Sequence, residues 1–197
     1  MRTLLFVVWM LIPVGALAYH LGPGQGDLKS DRAAQLLAEA DTLVAEEQWP
    51  MAIENYKEAL DLLPEDNLAT RRKTRLELAK CEIHNSGLPQ ANEDLKALVQ
   101  ELMEDPLSDP QTLTAARVAL ANSQFYITWL MRLEGRPQET WEPEITSSQQ
   151  IYRLLAEQSE ASLNMEAVLS RKSDLESSVK LARMDIGELQ GLPLPSQ

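Results

Sequence analysis

Two alanines on one predicted helix constrain the fold of this chain more than any other feature of its sequence. The segment from Trp49 to Pro64 places Ala52, Tyr56 and Ala59 at positions i, i+4 and i+7. At this spacing the three side chains lie on one face of a helix. Because alanine is small, a neighbouring helix can approach closely there, and the tyrosine fills the space beside the contact. The segment therefore predicts one helix of a closely packed helical hairpin.

The other helix of this hairpin is predicted just before it, from a cap at Asp27 or Ser30 to about Glu47. Its apolar residues recur with a period close to 3.6. The hairpin resembles a tetratricopeptide repeat, in which small, large and aromatic residues occupy fixed positions. Glu39 and Glu47 depart from the repeat, which usually has a leucine and a turn glycine there. The residues that carry the resemblance are Leu36, Ala40, Leu43, Trp49, Ala52, Tyr56, Ala59 and Pro64.

A second, degenerate copy follows, with Ala79 in a helix from about residue 68 to 86 and Ala91 and Leu95 in the next helix. The step from Ala52 to Ala91 is 39 residues, against a usual period of about 34. A third hairpin without a repeat match is predicted from a helix beginning near Gln111, which Gly135 ends, and a helix over 144–157.

The last predicted helix, about 164–189, carries two apolar rows at heptad spacing, which favour either a capping helix or a weak coiled coil. The sequence therefore predicts an all-α protein. The resemblance implies a right-handed stack of helical hairpins over residues 31–190, closed by a C-terminal capping helix. Residues 19–30 are predicted to be a flexible spacer, and residues 191–197 a disordered tail.

Residues 1–18 are predicted to target the chain to the cell envelope. Arg2 precedes an apolar run from Leu4 to Ile12, and Ala16 and Ala18 form the small-x-small pattern of a signal-peptidase site. The alternative is an uncleaved anchor over residues 4–21, about 27 Å long as a helix against a hydrocarbon core of about 30 Å. Either version places the body outside the cytoplasm, in the periplasm or on the inner membrane.

Charge and residue types exclude several classes of function. A net charge of −12 argues against nucleic acid as a partner. Nine acidic residues between positions 33 and 66 form either a solvated face or a surface that attracts a basic partner. With two histidines, one cysteine and no phosphate loop or nucleophile motif, the sequence predicts no catalytic site, no cofactor and no metal site. Cys81 and His84 share a helical face, but two ligands are too few for a closed zinc site.

The resemblance implies a non-enzymatic adaptor that binds an unidentified protein or peptide on the concave face of the stack. By analogy with peptide-binding repeats, that face includes Gln35, Glu39, Arg75 and Asn122. The alternative function is structural: an anchored helical protein that self-associates through its C-terminal heptads.

Two further features are candidate partner contacts. The basic run that contains Arg71, Arg72 and Arg75 either pairs with nearby carboxylates such as Glu65, Asp66 and Glu77 or receives an acidic peptide or phosphate. Five of the ten aromatic residues lie between positions 125 and 152, and most are predicted to be core. Within this cluster, Trp141 is predicted to lie in a loop and to be exposed as an anchor for a partner.

Overall fold

The structure is a computed structural model that describes Trp9, Ile12 and residues 23–161, 163–185 and 187–189. The described residues from 23 to 189 form seven α-helices and no strand, which confirms the predicted all-α class. The helices are α1 (Pro23–Ala45), α2 (Trp49–Leu62), α3 (Leu68–His84), α4 (Leu88–Glu104), α5 (Pro110–Leu133), α6 (Gln138–Ala161) and α7 (Met165–Arg183).

The chain divides into two compact units, residues 1–71 and 72–197. In the first unit, α1 and α2 pack against each other as a hairpin. Ala52 and Ala59 of α2 are fully buried, as their spacing predicts. Tyr56 is buried beside them, and its hydroxyl donates to Asp41 Oδ1 of α1 at 2.7 Å. The hydrogen bond gives the one polar atom of this tyrosine a partner, so burial of the ring leaves nothing unpaired.

The repeat positions of both predicted copies are mostly buried. Trp49 is half-buried, and Pro64 is exposed just after α2 ends. The buried residues of this set are Leu36, Ala40, Leu43, Ala52, Tyr56, Ala59, Ala79, Ala91 and Leu95.

In the second unit, a first core joins α3, α4 and α5 and receives Ile151 from α6. Helix α5 continues from it into a second core with α6, α7 and the turn after α7. From Ala119 to Thr128 every residue of α5 except Tyr126 is buried, so this helix is the centre of the unit. The buried residues of the first core are Leu76, Ala79, Ala91, Leu95, Leu98, Val99, Leu102, Ala116, Ala119 and Leu120; those of the second are Phe125, Trp141, Ile145, Leu181 and Leu189.

Arg132 of α5 links this helix to the end of α7 through direct contacts. Its guanidinium lies 4.9 Å from the centre of the Trp141 ring and donates to the backbone carbonyl oxygens of Leu181 and Met184. Carbonyl groups in the last turn of a helix lack partners within that helix, and a cation there also interacts favourably with the helix dipole. The contacts of Arg132 therefore hold α7 in place as part of the core.

Three predicted boundaries are corrected by the structure. Helix α1 begins at Pro23, so residues 23–30 are helical and are not a spacer; proline is well tolerated in a first helical turn. Helix α6 begins at Gln138 and contains Pro143, although the sequence predicts a loop there. Burial of Trp141 stabilises that first turn despite the missing N–H of the proline. Helix α7 ends at Arg183, before the end of the predicted helix, because the chain at Met184 turns to an extended conformation.

The predicted leader, apart from Trp9 and Ile12, lies outside the described residues, as does the predicted tail over 191–197. None of the helices in the described part of the chain combines the length and apolar character needed to cross a membrane.

Candidate binding groove

A groove of about 630 Å³ opens in the second unit between α3, α5 and α7. Most of its lining surface is apolar. Helix α3 contributes Lys80, Ile83 and His84, and α7 contributes Arg171. Helix α5 contributes Pro110, Gln111, Thr114, Ala115, Val118, Ala119, Asn122 and Tyr126.

The α5 residues form the floor of the groove. They recur every three or four positions, which is the repeat of one helical face. From Gln111 to Tyr126 this face extends over about 22 Å at 1.5 Å per residue. The Asp109 carboxylate fixes the start of the helix, because it accepts from the backbone N–H groups of Gln111 and Thr112. Small residues occupy the middle of the floor, which leaves room for another segment to lie close to the α5 backbone.

Buried hydrogen bonds hold α5 against its neighbours. Ser123 donates to Asn92 Oδ1 of α4 at 2.9 Å, and Ser148 of α6 donates to the carbonyl oxygen of Ala121 at 2.9 Å. These bonds are directional and lie behind the groove floor, so they fix the rotation of α5 about its own axis. The face that α5 presents to the groove is therefore fixed before any partner arrives.

The walls of the groove are basic although the chain as a whole is acidic. Lys80 and His84 stand on the α3 side and Arg171 on the α7 side, and the lining contains no aspartate or glutamate. The full chain has 30 acidic residues against 18 lysines and arginines. The groove is thus a local exception to the charge of the protein.

A polar cluster supports the α7 wall. Asp174 is buried and its Oδ2 accepts from Arg171 Nη1 at 3.1 Å. Tyr152, which is also buried, donates to Asn122 Oδ1 at 2.6 Å. Burial raises the pKa of the Tyr152 hydroxyl far above its usual value, and the negative charge of Asp174 adds to the shift. The tyrosine is therefore a permanent hydrogen-bond donor that fixes Asn122 at the groove.

Of the predicted partner contacts, the structure places only Asn122 in this groove, where it is 8% exposed. The predicted exposure of Trp141 is wrong. This residue lies in α6 rather than in a loop, and it is 9% exposed because it packs in the second core and against Arg132. Gln35 and Glu39 are exposed on α1 in the first unit.

The basic run at the start of α3 has structural partners that differ from the expected ones. Arg71 donates to the carbonyl oxygens of Leu60 and Leu63 at 2.8 and 2.9 Å, where it caps the end of α2. Such a contact satisfies carbonyl groups that have no partner within the helix.

The other two arginines of the run bind carboxylates of the second unit. Arg72 donates to Glu101 Oε1 at 2.8 Å and to Asp105 Oδ2 at 2.6 Å, and Arg75 donates to Glu101 Oε2 at 2.5 Å. Although partial burial opposes it, hydrogen bonds from the two arginines hold the pKa of Glu101 below its usual value. The hydrogen bond from Arg72 does the same for the pKa of Asp105. The predicted pairing with Glu65, Asp66 and Glu77 is not what the structure shows for these three arginines.

Sequence reasoning missed most of the groove. Lys80 and Arg171 are 91 positions apart in the chain, and only the packing of α3 and α7 around α5 brings them to one cavity. Thr114, Val118 and Asn122 are spaced i, i+4 and i+8, so the α5 face itself was readable from the sequence.

Groups of three or more possible metal ligands do not occur among the residues that the structure describes. Comparison of the chain with protein-family models, with curated proteins and with solved structures finds no match. An apolar floor with cationic walls is suited to hold a segment of another chain that brings apolar side chains and negative charge.

Proposed function

We propose that this protein is a non-enzymatic, tetratricopeptide-like adaptor that binds a segment of another protein in the groove along α5. The adaptor acts in the cell envelope, either in the periplasm or attached to the inner membrane by its N-terminal segment. Its hairpins form a right-handed stack, and α7 caps the C-terminal end.

The buried repeat positions support the proposed fold. Ala52, Ala59 and Ala91 are each fully buried, which is what close helix contacts of a repeat require. Glu47 occupies the turn position at which the repeat usually has glycine, and it adopts a φ of 58°. Glycine is preferred at such a φ because it lacks a Cβ atom. A left-handed φ at the position where the repeat usually has glycine supports the resemblance.

The groove carries the proposed function. Its volume of about 630 Å³ falls in the range of sites that enclose a large part of a small ligand or several side chains. An apolar floor about 22 Å long is more than one small molecule needs and fits a peptide segment. The preformed floor reduces the entropy lost on binding, because the α5 side chains are already held by their neighbours.

Site-specific crosslinking tests this function. A photoreactive amino acid at Thr114, an exposed residue of the groove, is expected to crosslink an envelope protein in cells. The same amino acid at Gln150, which is exposed on α6 and does not line the groove, serves as the control. Equal crosslinking at both positions, or none at Thr114, contradicts binding in the groove.

Self-association remains a second candidate because α7 exposes two large apolar residues. Met165 and Leu169 are 65% and 66% exposed and lie at i and i+4. Val168 and Leu181 of the same helix are buried in the protein's own packing, so the surface available to a second copy is limited to the first turns of α7. If this surface forms a dimer, replacing Met165 and Leu169 by lysine gives a monomer in light scattering. A wild-type monomer at high concentration excludes this function.

A further inference from the structure

The groove walls specify the charge of whatever binds between them. Lys80 pairs with Glu77 at 2.8 Å and Arg171 pairs with Asp174 at 3.1 Å, and neither carboxylate lines the groove. An ammonium group has three N–H donors and a guanidinium five, so each cation can still donate to a further acceptor. Positive charges on both walls attract a partner that is acidic along both of its edges.

Arg171 is the best-positioned of these cations. The Asp174 carboxylate that holds it is 3% exposed, and the arginine side chain is 21% exposed. A buried ion pair of this kind is poor evidence for added stability, because removing both charges from water is costly. Its effect here is to fix the guanidinium at the groove edge, which reduces the side-chain entropy that binding must overcome.

The floor specifies the shape of the occupant. Ala115 and Val118 lie in its middle and Thr114 at its edge, so no long side chain separates an incoming segment from the α5 backbone. Helices pack 8–10 Å apart, and the closest approaches need small residues at the contact. A floor of about 22 Å matches the length of a helix of about 15 residues.

We propose that the occupant of the groove is an amphipathic helix that has an apolar stripe facing α5 and acidic residues on both sides of the stripe. This inference rests on the proposed function and adds the chemistry of the partner to it. The apolar stripe covers the α5 floor, while the acidic residues reach Lys80 on one wall and Arg171 on the other.

Synthetic peptides of about 15 residues, capped at both ends, provide the probe. Two peptides share leucine and alanine at i, i+3, i+4 and i+7; the flanking positions are glutamate in one and lysine in the other. Titration calorimetry with the complete chain is expected to show binding of the glutamate peptide at least about tenfold tighter, with weaker binding at high salt. Circular dichroism is expected to show a gain of helix in the mixture.

Variants locate the binding. Arg171→Ala is expected to weaken binding of the glutamate peptide about tenfold, whereas Arg153→Ala, which removes an exposed arginine of α6 outside the groove, leaves it unchanged. Thr114→Glu and Thr114→Lys place opposite charges at one exposed position. Thr114→Glu is expected to weaken binding of the glutamate peptide, and Thr114→Lys is expected to strengthen it. The Thr114 pair keeps the test decisive if Arg171→Ala destabilises the fold by removing the ion pair with buried Asp174.

Equal or tighter binding of the lysine peptide, or no binding of the glutamate peptide, overturns the proposed partner chemistry. The wider adaptor function is judged separately by crosslinking at Thr114. If Thr114 captures a protein whose crosslinked segment is not acidic, or is extended rather than helical, the adaptor function stands and this inference fails. If Thr114 captures nothing, both fail.

Discussion

Glu47 holds the turn between α1 and α2 in a conformation that residues with a Cβ atom rarely adopt. Its φ is 58°, in the left-handed region, and its side chain is exposed. The left-handed conformation costs an L-residue about 1–2 kcal/mol relative to the right-handed one. The backbone N–H of Gln48 donates to the carbonyl oxygen of Leu43 at 2.8 Å and helps to fix the turn. The packing of the hairpin therefore imposes a conformation that the residue itself does not favour.

We expect Glu47→Gly to stabilise the protein by roughly 0.5–1 kcal/mol, because glycine adopts this φ without strain. In a chain of this size that change raises Tm by about 1–4 °C. Glu54→Gly is the matched control. Glu54 is exposed inside α2, where glycine lowers stability by about 1 kcal/mol. Thermal unfolding followed by circular dichroism measures both, and a lower Tm for Glu47→Gly contradicts the turn geometry.

At the scale of helices, the α1–α2 hairpin depends on small residues at its contact. Ala52 has no exposed surface. We expect Ala52→Leu to lower stability by about 1–3 kcal/mol, because the added methylenes have no space between the helices. Met51→Leu, at the neighbouring exposed position, is expected to change Tm little. Chemical unfolding of the two variants compares them directly, and an unchanged midpoint for Ala52→Leu is incompatible with close packing of the hairpin.

The contact between α3 and α4 includes an ion-pair cluster that responds to pH. The pKa values of Glu101 and Asp105 lie below their ordinary values of 4.5 and 3.8. A carboxylate with a lowered folded-state pKa stabilises the protein above its unfolded-state pKa, and this contribution is lost as pH falls through the folded-state value. The cluster therefore contributes fully at neutral pH and is lost progressively below about pH 4.5.

We expect Glu101→Gln to reduce the loss of stability between about pH 5 and pH 3, because the variant has no charge at this position to protonate. Its stability at pH 7 is expected to be lower than that of the wild type, since Arg72 and Arg75 lose a charged partner. Glu104→Gln, at an exposed position of α4, serves as the control. Urea unfolding at several pH values is the measurement. An acid response identical to that of the wild type shows that the cluster does not contribute.

Apolar periodicity, together with the repeat resemblance for α3 and α4, predicts all seven helices, because each has a buried face that repeats every three or four residues. Boundaries failed where tertiary contacts outweighed local signals. The sequence predicts a helix over 144–157, yet α6 begins at Gln138, where the core contacts of Trp141 stabilise its first turns. Near the C-terminus, Leu189 continues the heptad row but is buried in the core from a turn beyond α7.

The sequence predicts less of the candidate site than of the fold. Asn122 was predicted because it lies on the first helix of a hairpin, and it does line the groove. Lys80 and Arg171 gave no signal, since each resembles an ordinary helix cation paired three residues away with a carboxylate. They line one cavity because helices far apart in the sequence pack around α5. No local sequence pattern predicts this proximity.

At the scale of the whole molecule, charge separates the groove from the rest of the surface. A net charge of −12 repels acidic segments in general, whereas the groove lining carries only cationic and neutral residues. An acidic partner is therefore attracted to one site and repelled elsewhere, which favours specific over nonspecific binding. If the acidic residues between positions 33 and 66 form a solvated face, they also repel acidic segments from the surface outside the groove. Their presence then requires no basic partner.

Location decides which partners this molecule can meet, and Ala18 provides the test. The small-x-small pattern at Ala16 and Ala18 predicts cleavage before Tyr19. If the leader is cleaved, we expect Ala18→Leu to leave a larger, membrane-bound precursor on an immunoblot, because leucine does not fit the small pocket that accepts alanine. Ala18→Ser, which keeps a small residue, is expected to be processed normally.

If residues 4–21 are instead a retained anchor, both variants have the wild-type mass and resist carbonate extraction. A full-length wild-type protein that is soluble in the cytoplasm contradicts both versions, and with them the proposed action in the cell envelope.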